Sequence, residues 1–568
     1  MQKSSSHPAA AVLASVLAEQ GVRHAVVSPG SRNAPLVLAL HHHPDIAVHV
    51  TIDERAAAHH ALGLALATWT PVPVVCTSGT AALNHGPALA EAFHARVPLL
   101  SITADRPLDV VGRGHGQTLT QTGVHAAHVV HHDVLDESVM DVKTLTQRAR
   151  QALQQPVEGG PGQSAGPVHL NVPFDEPLYD LAPAPDLPQS AGEERSNSEA
   201  NRLKVPEALA DCMARGRVMV VAGPRPAAAH RGEDGKLDIG WPCLAERGAA
   251  VQGPHVILGA ERLLRQGQWP AELMPEAIVT VGLPLMSKAL RNALKGLPHW
   301  HVGEDLLGEG QGWDVWKTLR GSAPHSVLTS VPDDFDGIPW QNAIHHLTSA
   351  SHDFTPQWSD LSAWKTMTDT WRHWPVAERP RALHVANSAS ARYAQWVDLD
   401  SALHPHAVFH ANRGVAGIDG CTSTALGWHM GQRATDIQGS TWLVTGDVAF
   451  HYDANALLTD PVPDGLKIVV MNNQGGGIFR WLPGTQHEAM FERHFETPPN
   501  RTVKELAAAM HAQYLPVQDA SDLPAALEQA RLCPTPVVVD IQTPDVQSAE
   551  ERVRYLETSD LDINSTFN

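Results

Sequence analysis

The sequence predicts an α/β protein of three domains, each a largely parallel sheet flanked by helices. Three observations carry that expectation. The chain has 568 residues, too many for one hydrophobic core. Amphipathic helical stretches alternate with short β-branched runs almost throughout, the pattern of strand–helix–strand units. Two irregular stretches, 182–201 and around 331–355, interrupt that alternation and read as connections between domains. The expected division is 1–181, a linker at 182–201, 202–355 and 356–568.

Element by element, 9–20 is read as a helix stopped by Gly21, and 24–28 as a buried strand. Pro29-Gly30-Ser31-Arg32-Asn33 is a turn, followed by a helix at 34–41 and a strand at 48–51. A helix runs from Asp53 to Thr68, then a strand at 72–77 enters the turn Ser78-Gly79-Thr80. One helix is expected over 81–95 and a strand over 98–103, leading into Ala104-Asp105-Arg106-Pro107. The segment 167–173 closes the first domain. Strands at 218–222 and 277–281 mark the middle domain. In the third, strands fall at 407–410, 441–445, 466–472 and 536–541, with a helix at 452–458. The first and third domains read as two versions of one layered architecture. Units of this kind align their turns on the carboxyl edge of a sheet, where ligands bind.

Composition narrows the function classes. Apolar residues make up 43% and charged residues 18% of the chain, a globular balance. The formal charge of −20 argues against nucleic acid, whose phosphates need a basic face. No apolar run reaches the ~20 residues that cross a bilayer, so no membrane insertion is expected. Cys76, Cys212, Cys243, Cys421 and Cys533 are scattered, neither a zinc framework nor a disulfide scaffold, which favours a reducing, cytoplasmic setting. The run His41-His42-His43 lies ahead of Pro44 and is only weak support for metal binding.

The strongest local signal lies in the third domain. Gly446-Asp447 follows the apolar strand 441–445, and Asn472-Asn473 ends the strand 466–472. Asp447 and Asn473 are 26 positions apart, one crossover, so both oxygens can reach the same sheet edge. A carboxylate with an amide oxygen, completed by backbone carbonyl, water and phosphate oxygens, suits Mg²⁺. Gly475-Gly476-Gly477 then lets the backbone approach a charged ligand. In the first domain Glu54 opens a helix beside a strand end, where burial would raise its pKa to a useful range for acid–base work. A helix N-terminal carboxylate favoured by the dipole is the bland alternative.

Glycine-Asp447 followed by Asn472-Asn473 resembles the thiamine-diphosphate-binding signature, with Val448 where many relatives carry glycine. A closer resemblance follows from Ser28-Pro29-Gly30-Ser31-Arg32-Asn33-Ala34-Pro35-Leu36, Asp53-Glu54-Arg55, Thr77-Ser78-Gly79-Thr80-Ala81 and Thr103-Ala104-Asp105-Arg106-Pro107. Gly116-Gln117 with Gln121, Asn412-Arg413-Gly414 leading to Gly417-Ile418-Asp419-Gly420, and 472–479 extend it over nearly the whole chain. These strings look like the MenD family, 2-succinyl-5-enolpyruvyl-6-hydroxy-3-cyclohexene-1-carboxylate synthases of menaquinone biosynthesis.

The resemblance implies the three-domain architecture of thiamine-diphosphate enzymes: a pyrimidine-binding domain, a middle domain and a diphosphate-binding domain. It implies thiamine diphosphate with Mg²⁺ or Mn²⁺, the cation held by Asp447, Asn473 and Gly475. Glu54, Ser78, Gly79, Gly446, Gly476, Ile478, Phe479 and Leu482 are expected to complete the cofactor site, Ile478, Phe479 and Leu482 as an apolar wall. Glu54, Gln117 and Arg32 are the expected catalytic residues, Glu54 as the carboxyl beside the aminopyrimidine ring. The implied reaction decarboxylates 2-oxoglutarate and adds the four-carbon unit to isochorismate. Both substrates are dianions, and Ser31, Arg32, Arg106, Gln117, Lys288, Ser388, Arg392 and Arg413 match substrate-contacting positions. Ala289 stands where some relatives have a second basic residue. Because the Glu-bearing and diphosphate-binding domains of such enzymes meet between subunits, a homodimer or a dimer of dimers is implied. The competing readings are another thiamine enzyme, a 2-oxo acid decarboxylase or acetohydroxyacid synthase, and a non-catalytic module that binds the cofactor.

Overall fold

A computed structural model describes residues 3–158, 166–188, 205–225, 236–265, 274–302, 317–319, 324–332, 335–337, 339–340, 342, 354–433, 439–458, 464–482, 484 and 487–557. The expected linker from 189 onward and the irregular stretch at 343–353 lie outside these residues.

Three six-stranded sheets, all parallel, organise the chain. In the first, the spatial order is Ala47–Val50, His24–Val27, Val72–Cys76, Leu99–Asp105, Val168–Pro173 and His131–Val134. In the third it is Val408–His410, Ala382–Val385, Thr441–Gly446, Leu466–Asn472, Val537–Gln542 and Gln513–Val517. Counted in chain order within each sheet, both read 2-1-3-4-6-5, so the first and third domains do share one architecture. The middle sheet, from Val218–Ala222 to Lys317–Leu319, reads 3-2-1-4-5-6, a doubly wound order. Central strands such as Val72–Cys76 and Leu99–Asp105 are buried along their whole length, as helices on both faces require.

Two expectations about local structure are corrected. The helix expected over 81–95 is two, Thr80–Leu83 and Gly86–Ala95. Pro87 has no N–H to donate and starts a helix far better than it continues one. The break also lets His85 Nδ1 meet Ser101 Oγ at 2.9 Å inside the core. The helix expected over 452–458 instead starts at Asp447 and ends at Tyr452, followed by a 3-10 turn at Ala454–Leu457. Gly446, extended at φ −82°, ψ 158°, turns the strand directly into the helix. Asp447 thereby sits in the first turn, where the dipole favours negative charge. The polar start of the chain is also ordered: Lys3–Ser5 pairs antiparallel with Leu181–Pro183.

The first and third domains are joined by two helices, Glu54–Thr68 and Cys421–Arg433, whose backbones touch. A Cβ on Gly63 would collide with the Thr424 carbonyl, and one on Gly427 with the His60 carbonyl. Neither neighbour is a side chain that can swing away. Gly427→Ala should therefore destabilise by about 1–3 kcal/mol or more, read as a lower thermal midpoint; an unchanged midpoint would mean that the helices are free to separate.

The first-domain core also buries neutral histidines. Burial, reinforced by neighbouring histidines, pushes His60, His85 and His169 down to about 3. An unfolded histidine titrates near 6.5, so below that pH the unfolded chain takes up protons that the folded chain refuses. Their stabilising contribution is present above pH ~6.5 and is lost as pH falls towards ~3. Thermal midpoints should decline steadily from about pH 6.5 downward, and a flat profile to pH ~4.5 would contradict neutral burial.

Candidate active site

Register brings the third-domain residues together. Gly446 pairs with Met471, so Asp447 and Asn473 emerge side by side at the carboxyl edge. The cleft there is lined by Gly446, Asp447, Asn473 and Gly475 to Phe479, with Ser388 and Asp360 across from them. Asp447 is buried; its Oδ1 accepts from the Val448 amide at 2.9 Å, while Oδ2 has no hydrogen-bond partner among the described residues. Asn473 donates through Nδ2 to Asp360 Oδ2 at 2.8 Å, which leaves its Oδ1 buried and also without a partner among the described residues. Thr543 Oγ1 donates to the other oxygen of Asp360. The amide of Asn473 is thus held with its oxygen, not its nitrogen, facing the cleft.

Two buried oxygens without donors are costly, and burial raises the Asp447 carboxyl to about 7. A hard divalent cation relieves both costs, so the residues present fit one. The glycines are required by the close packing of this loop. A Cβ on Gly477 would press on the Asn473 amide, and one on Gly476 on the Phe479 ring. The Gly476 amide donates to the Glu496 carbonyl at 2.6 Å. Arg480 pairs with Glu496 and Asp545 at 2.5–2.7 Å, locking the loop behind the cradle.

Beyond Ile478 lies a second cavity between the middle and third domains, lined by Lys288, Arg392, Ile478, Leu482, Trp481 and Glu246 among others. Glu246, fully buried, accepts from the Met286 and Ser287 amides at 2.9 and 2.8 Å. Ser287 in turn caps the helix Lys288–Ala293, so Glu246 holds the turn from which Lys288 starts. Arg392 donates to the Ser388 carbonyl at 2.7 Å. Ser388 itself has φ +71°, a strained value for a side-chain-bearing residue and one typical of functional turns.

Arg413 borders a third cavity at the junction of all three domains, with Arg247, Arg225 and His410. It donates to Asn387 Oδ1 at 2.9 Å and keeps its Nε buried without a partner among the described residues. Burial lowers its pKa and that of Arg392; Arg413 further lowers Arg392, while Glu246 opposes the shift in both. The loop is pinned by Glu91 of the first domain, which accepts from the Gly414 and Val415 amides at 2.6 and 2.8 Å.

The remaining expected residues gather at the carboxyl edge of the first sheet. Glu54 opens its helix, half-buried, with Asp53 as N-cap. Burial first, then the Glu54 charge, raises the Cys76 thiol, which places Glu54 near the strand end before Ser78. Gly30 packs on Thr77, so the Ser31-Arg32 turn lies over the Ser78-Gly79 turn. Arg32 is buried and donates to the Phe174 carbonyl at 3.0 Å and to Glu176 at 3.1 Å. Ser31 is exposed, its hydroxyl 2.9 Å from Tyr179 Oη. Gly79, at φ +85°, faces the backbone of Gln117, itself at φ +57°. The buried Nε of Arg106 has no partner.

Among the described residues, the cavities beside Asp447 do not take in this first-domain group. Neither the cleft nor the cavity beyond Ile478 includes Ser31, Arg32, Glu54, Ser78, Gly79, Arg106 or Gln117. The Glu54 helix instead fastens to the third domain through its flanks: Arg55 to Asp453 at 3.3 Å, and Asn455 to Asp53 at 2.8 Å.

Sequence reasoning missed the residues that orient others. Asp360 lies 113 positions from Asn473, and nothing local marks it. Gln121 was noted only as part of a motif. Its Oε1 accepts from the Gly79 amide at 2.7 Å, and its Nε2 donates to the Ala104 carbonyl and to Asn171. Asn171 also donates to Asp105 at 2.8 Å. For Asn171 and Asp105 the available signal was a polar residue inside an otherwise apolar strand; Asp360, at a helix start, and Gln121, outside any strand, carried none.

Comparisons with known proteins agree with this geometry. Residues 8–125 match the thiamine pyrophosphate enzyme N-terminal TPP-binding domain, and 400–541 the C-terminal TPP-binding domain. The chain is similar to 2-succinyl-5-enolpyruvyl-6-hydroxy-3-cyclohexene-1-carboxylate synthases from several bacteria. It is 33% identical to that of Porphyromonas gingivalis, covering 95% of each chain. To that of Saccharopolyspora erythraea it is 34% identical over 92% of this chain and 93% of the relative. To that of Geobacillus kaustophilus it is 32% identical, covering 86% of each. With glycine cradle, buried Asp447–Asn473 pair and whole-length similarity in agreement, the chain belongs to the 2-succinyl-5-enolpyruvyl-6-hydroxy-3-cyclohexene-1-carboxylate synthase family of thiamine-diphosphate enzymes.

Proposed function

We propose that this enzyme decarboxylates 2-oxoglutarate on thiamine diphosphate and adds the resulting four-carbon unit to isochorismate, a carboligation of menaquinone biosynthesis. The observation that carries the reading is the pair of partnerless buried oxygens, Asp447 Oδ2 and Asn473 Oδ1, beside a glycine cradle. Just past Ile478 comes a cavity bearing Lys288 and Arg392. The cradle suits a metal-bound diphosphate, and the cationic cavity suits dianionic substrates, which arginine binds through paired hydrogen bonds.

Thiamine diphosphate, when bound, supplies the electron sink for the departing CO₂. Asp447, Asn473 and the Gly475 carbonyl would hold Mg²⁺ or Mn²⁺ against its phosphates. Glu54 would hold a proton beside the aminopyrimidine ring, and the Ser78-Gly79 turn would seat that ring. Ile478, Phe479 and Leu482 would exclude water, so that the carbanion equivalent meets isochorismate rather than a proton. Arg32, Ser31, Arg106 and Gln117 would meet substrate from the first-domain side, and Ser388, Arg392, Arg413 and Lys288 from the other.

This reading needs two copies of the chain. It is supported by the cavities beside Asp447, which take in none of the Glu54 group among the described residues, and by exposed apolar residues in both domains: Ile52 at 72%, Leu83 at 48%, Leu482 at 43% and Met490 at 51%. A homodimer, or a dimer of dimers, would bury them and complete two sites. The domain limits 1–181, 202–355 and 356–568 go with this reading. A cytoplasmic location goes with five free, buried cysteines, and among the described residues no helix is long and apolar enough to cross a membrane.

The test is an assay with thiamine diphosphate, Mg²⁺, 2-oxoglutarate and isochorismate, following isochorismate absorbance and product mass. Consumption that needs all four supports the reading. CO₂ release with isochorismate untouched would turn it towards a decarboxylase. In the same assay Arg413→Ala should raise KM for substrate by about tenfold or more, given ~1.5–3 kcal/mol for a charge-assisted contact. Thiamine diphosphate affinity should stay within about threefold on the same scale; matched losses would make Arg413 a structural residue.

A further inference from the structure

The cavity that carries Lys288 and Arg392 also holds a cation that the substrate assignment leaves out. Arg552, on the last described helix Asp545–Glu557, lines that cavity with Arg265, Trp396 and Trp481. Its guanidinium stacks on Trp481, 4.5 Å from the ring centroid, and stands 5.5 Å from that of Trp396. Stacking fixes the plane of the fork and leaves its edge for hydrogen bonding. Its Nε is buried and has no acceptor among the described residues.

The carboxylates that line the same cavity are already engaged. Glu261 pairs with Arg265 at 2.8 Å through one oxygen and accepts from Trp396 Nε1 at 3.4 Å through the other. Glu246 spends both oxygens on the Met286 and Ser287 amides. Four cations, Arg265, Lys288, Arg392 and Arg552, therefore face two carboxylates. Burial, then the charge of Arg265, disfavours the charged form of Arg552, with Arg392 adding to it. A like-charged cluster with a buried, unpaired donor is stabilised by an anion from outside.

We infer that Arg552 binds a carboxylate of a dianionic substrate and sets the preference of this site for dicarboxylic over monocarboxylic ligands. The inference rests on the proposed reaction for the identity of the substrates, 2-oxoglutarate or isochorismate, and on the cavity alone for the anion. Arg552 is a binding residue, and no proton or bond change is assigned to it.

The experiment is calorimetric titration of the protein loaded with thiamine diphosphate and Mg²⁺. Succinate serves as an unreactive dianion, and isochorismate is added without 2-oxoglutarate. Arg552→Met keeps the long stem against the two indoles, and Arg552→Lys keeps the charge without the fork. The Met variant should bind one of the two probes at least about tenfold more weakly, and the Lys variant should fall between. Butyrate, the monoanion, should lose much less. The weakened probe tells which substrate Arg552 serves. Unchanged affinity for both probes in a Met variant with wild-type thermal midpoint would overturn the inference. So would a weakening of succinate that butyrate matches. Should wild-type protein fail to consume isochorismate, the proposed reaction falls, while the contrast between succinate and butyrate still decides Arg552.

Discussion

Glu54→Gln is expected to lower kcat by about 10²–10⁴-fold, the range for losing a positioned proton-transfer group, while thiamine diphosphate still binds within a few-fold of wild type. The substitution keeps size and hydrogen bonding but removes the exchangeable acid. Glu54 stands at the first position of its helix, with Asp53 already serving as cap through the Arg55 and Ala56 amides. The helix therefore does not need the Glu54 carboxylate, and the variant should fold with a near-normal thermal midpoint. The decisive measurement is deuterium exchange at the thiazolium carbon of the bound cofactor, beside steady-state rates. Wild-type exchange in the variant would remove Glu54 from the chemistry. Because Glu54 lies outside the cleft of its own chain, mixing Glu54→Gln with an inactive Asp447 variant should restore activity in about a quarter of sites if random pairing forms dimers.

The second large effect is expected at Asp447. Asp447→Asn preserves the shape and the hydrogen bond to Val448 but replaces the one negative oxygen that faces the cleft. Losing a charge-assisted contact of ~1.5–3 kcal/mol predicts about 10–100-fold weaker binding of thiamine diphosphate in the presence of Mg²⁺. The increase in thermal midpoint on adding cofactor and Mg²⁺ together should shrink accordingly, since ligand stabilisation follows affinity. Removal of a buried carboxylate that burial already lifts to about 7 should not harm the unliganded fold. A variant that binds the cofactor as wild type does would mean that the cation is held elsewhere, and a variant that fails to fold would mean that Asp447 is structural.

Much of this was readable along the chain because the relevant spacing is local. Asp447 and Asn473 are separated by one crossover, and parallel neighbours must put their ends on one edge. The same logic put the turns at Gly30, Ser78 and Arg106 on one edge of the first sheet. The two domains of like topology could be sensed because each carries the same succession of strand and helix. What failed was punctuation: the break at His85 needed the core contact with Ser101, and the helix at Asp447 needed the extended geometry of Gly446.

The sequence by itself determined the α/β class, the pairing of Asp447 with Asn473 at one sheet edge and the family to which the chain belongs, since those depend on order and on spacings within one unit. Only the tertiary structure decided how the pieces are oriented. Asp360 turns the Asn473 oxygen towards the cleft from 113 positions away, Glu246 holds the turn that starts the Lys288 helix, Gln121 ties Gly79 to Asn171, and Arg552 reaches the cavity of Lys288 and Arg392 from a helix late in the chain. Those contacts form between segments that pack together only after each sheet has closed. Side chains that meet across hundreds of residues leave no period or motif behind, because burial and hydrogen bonding act through space and not along the chain.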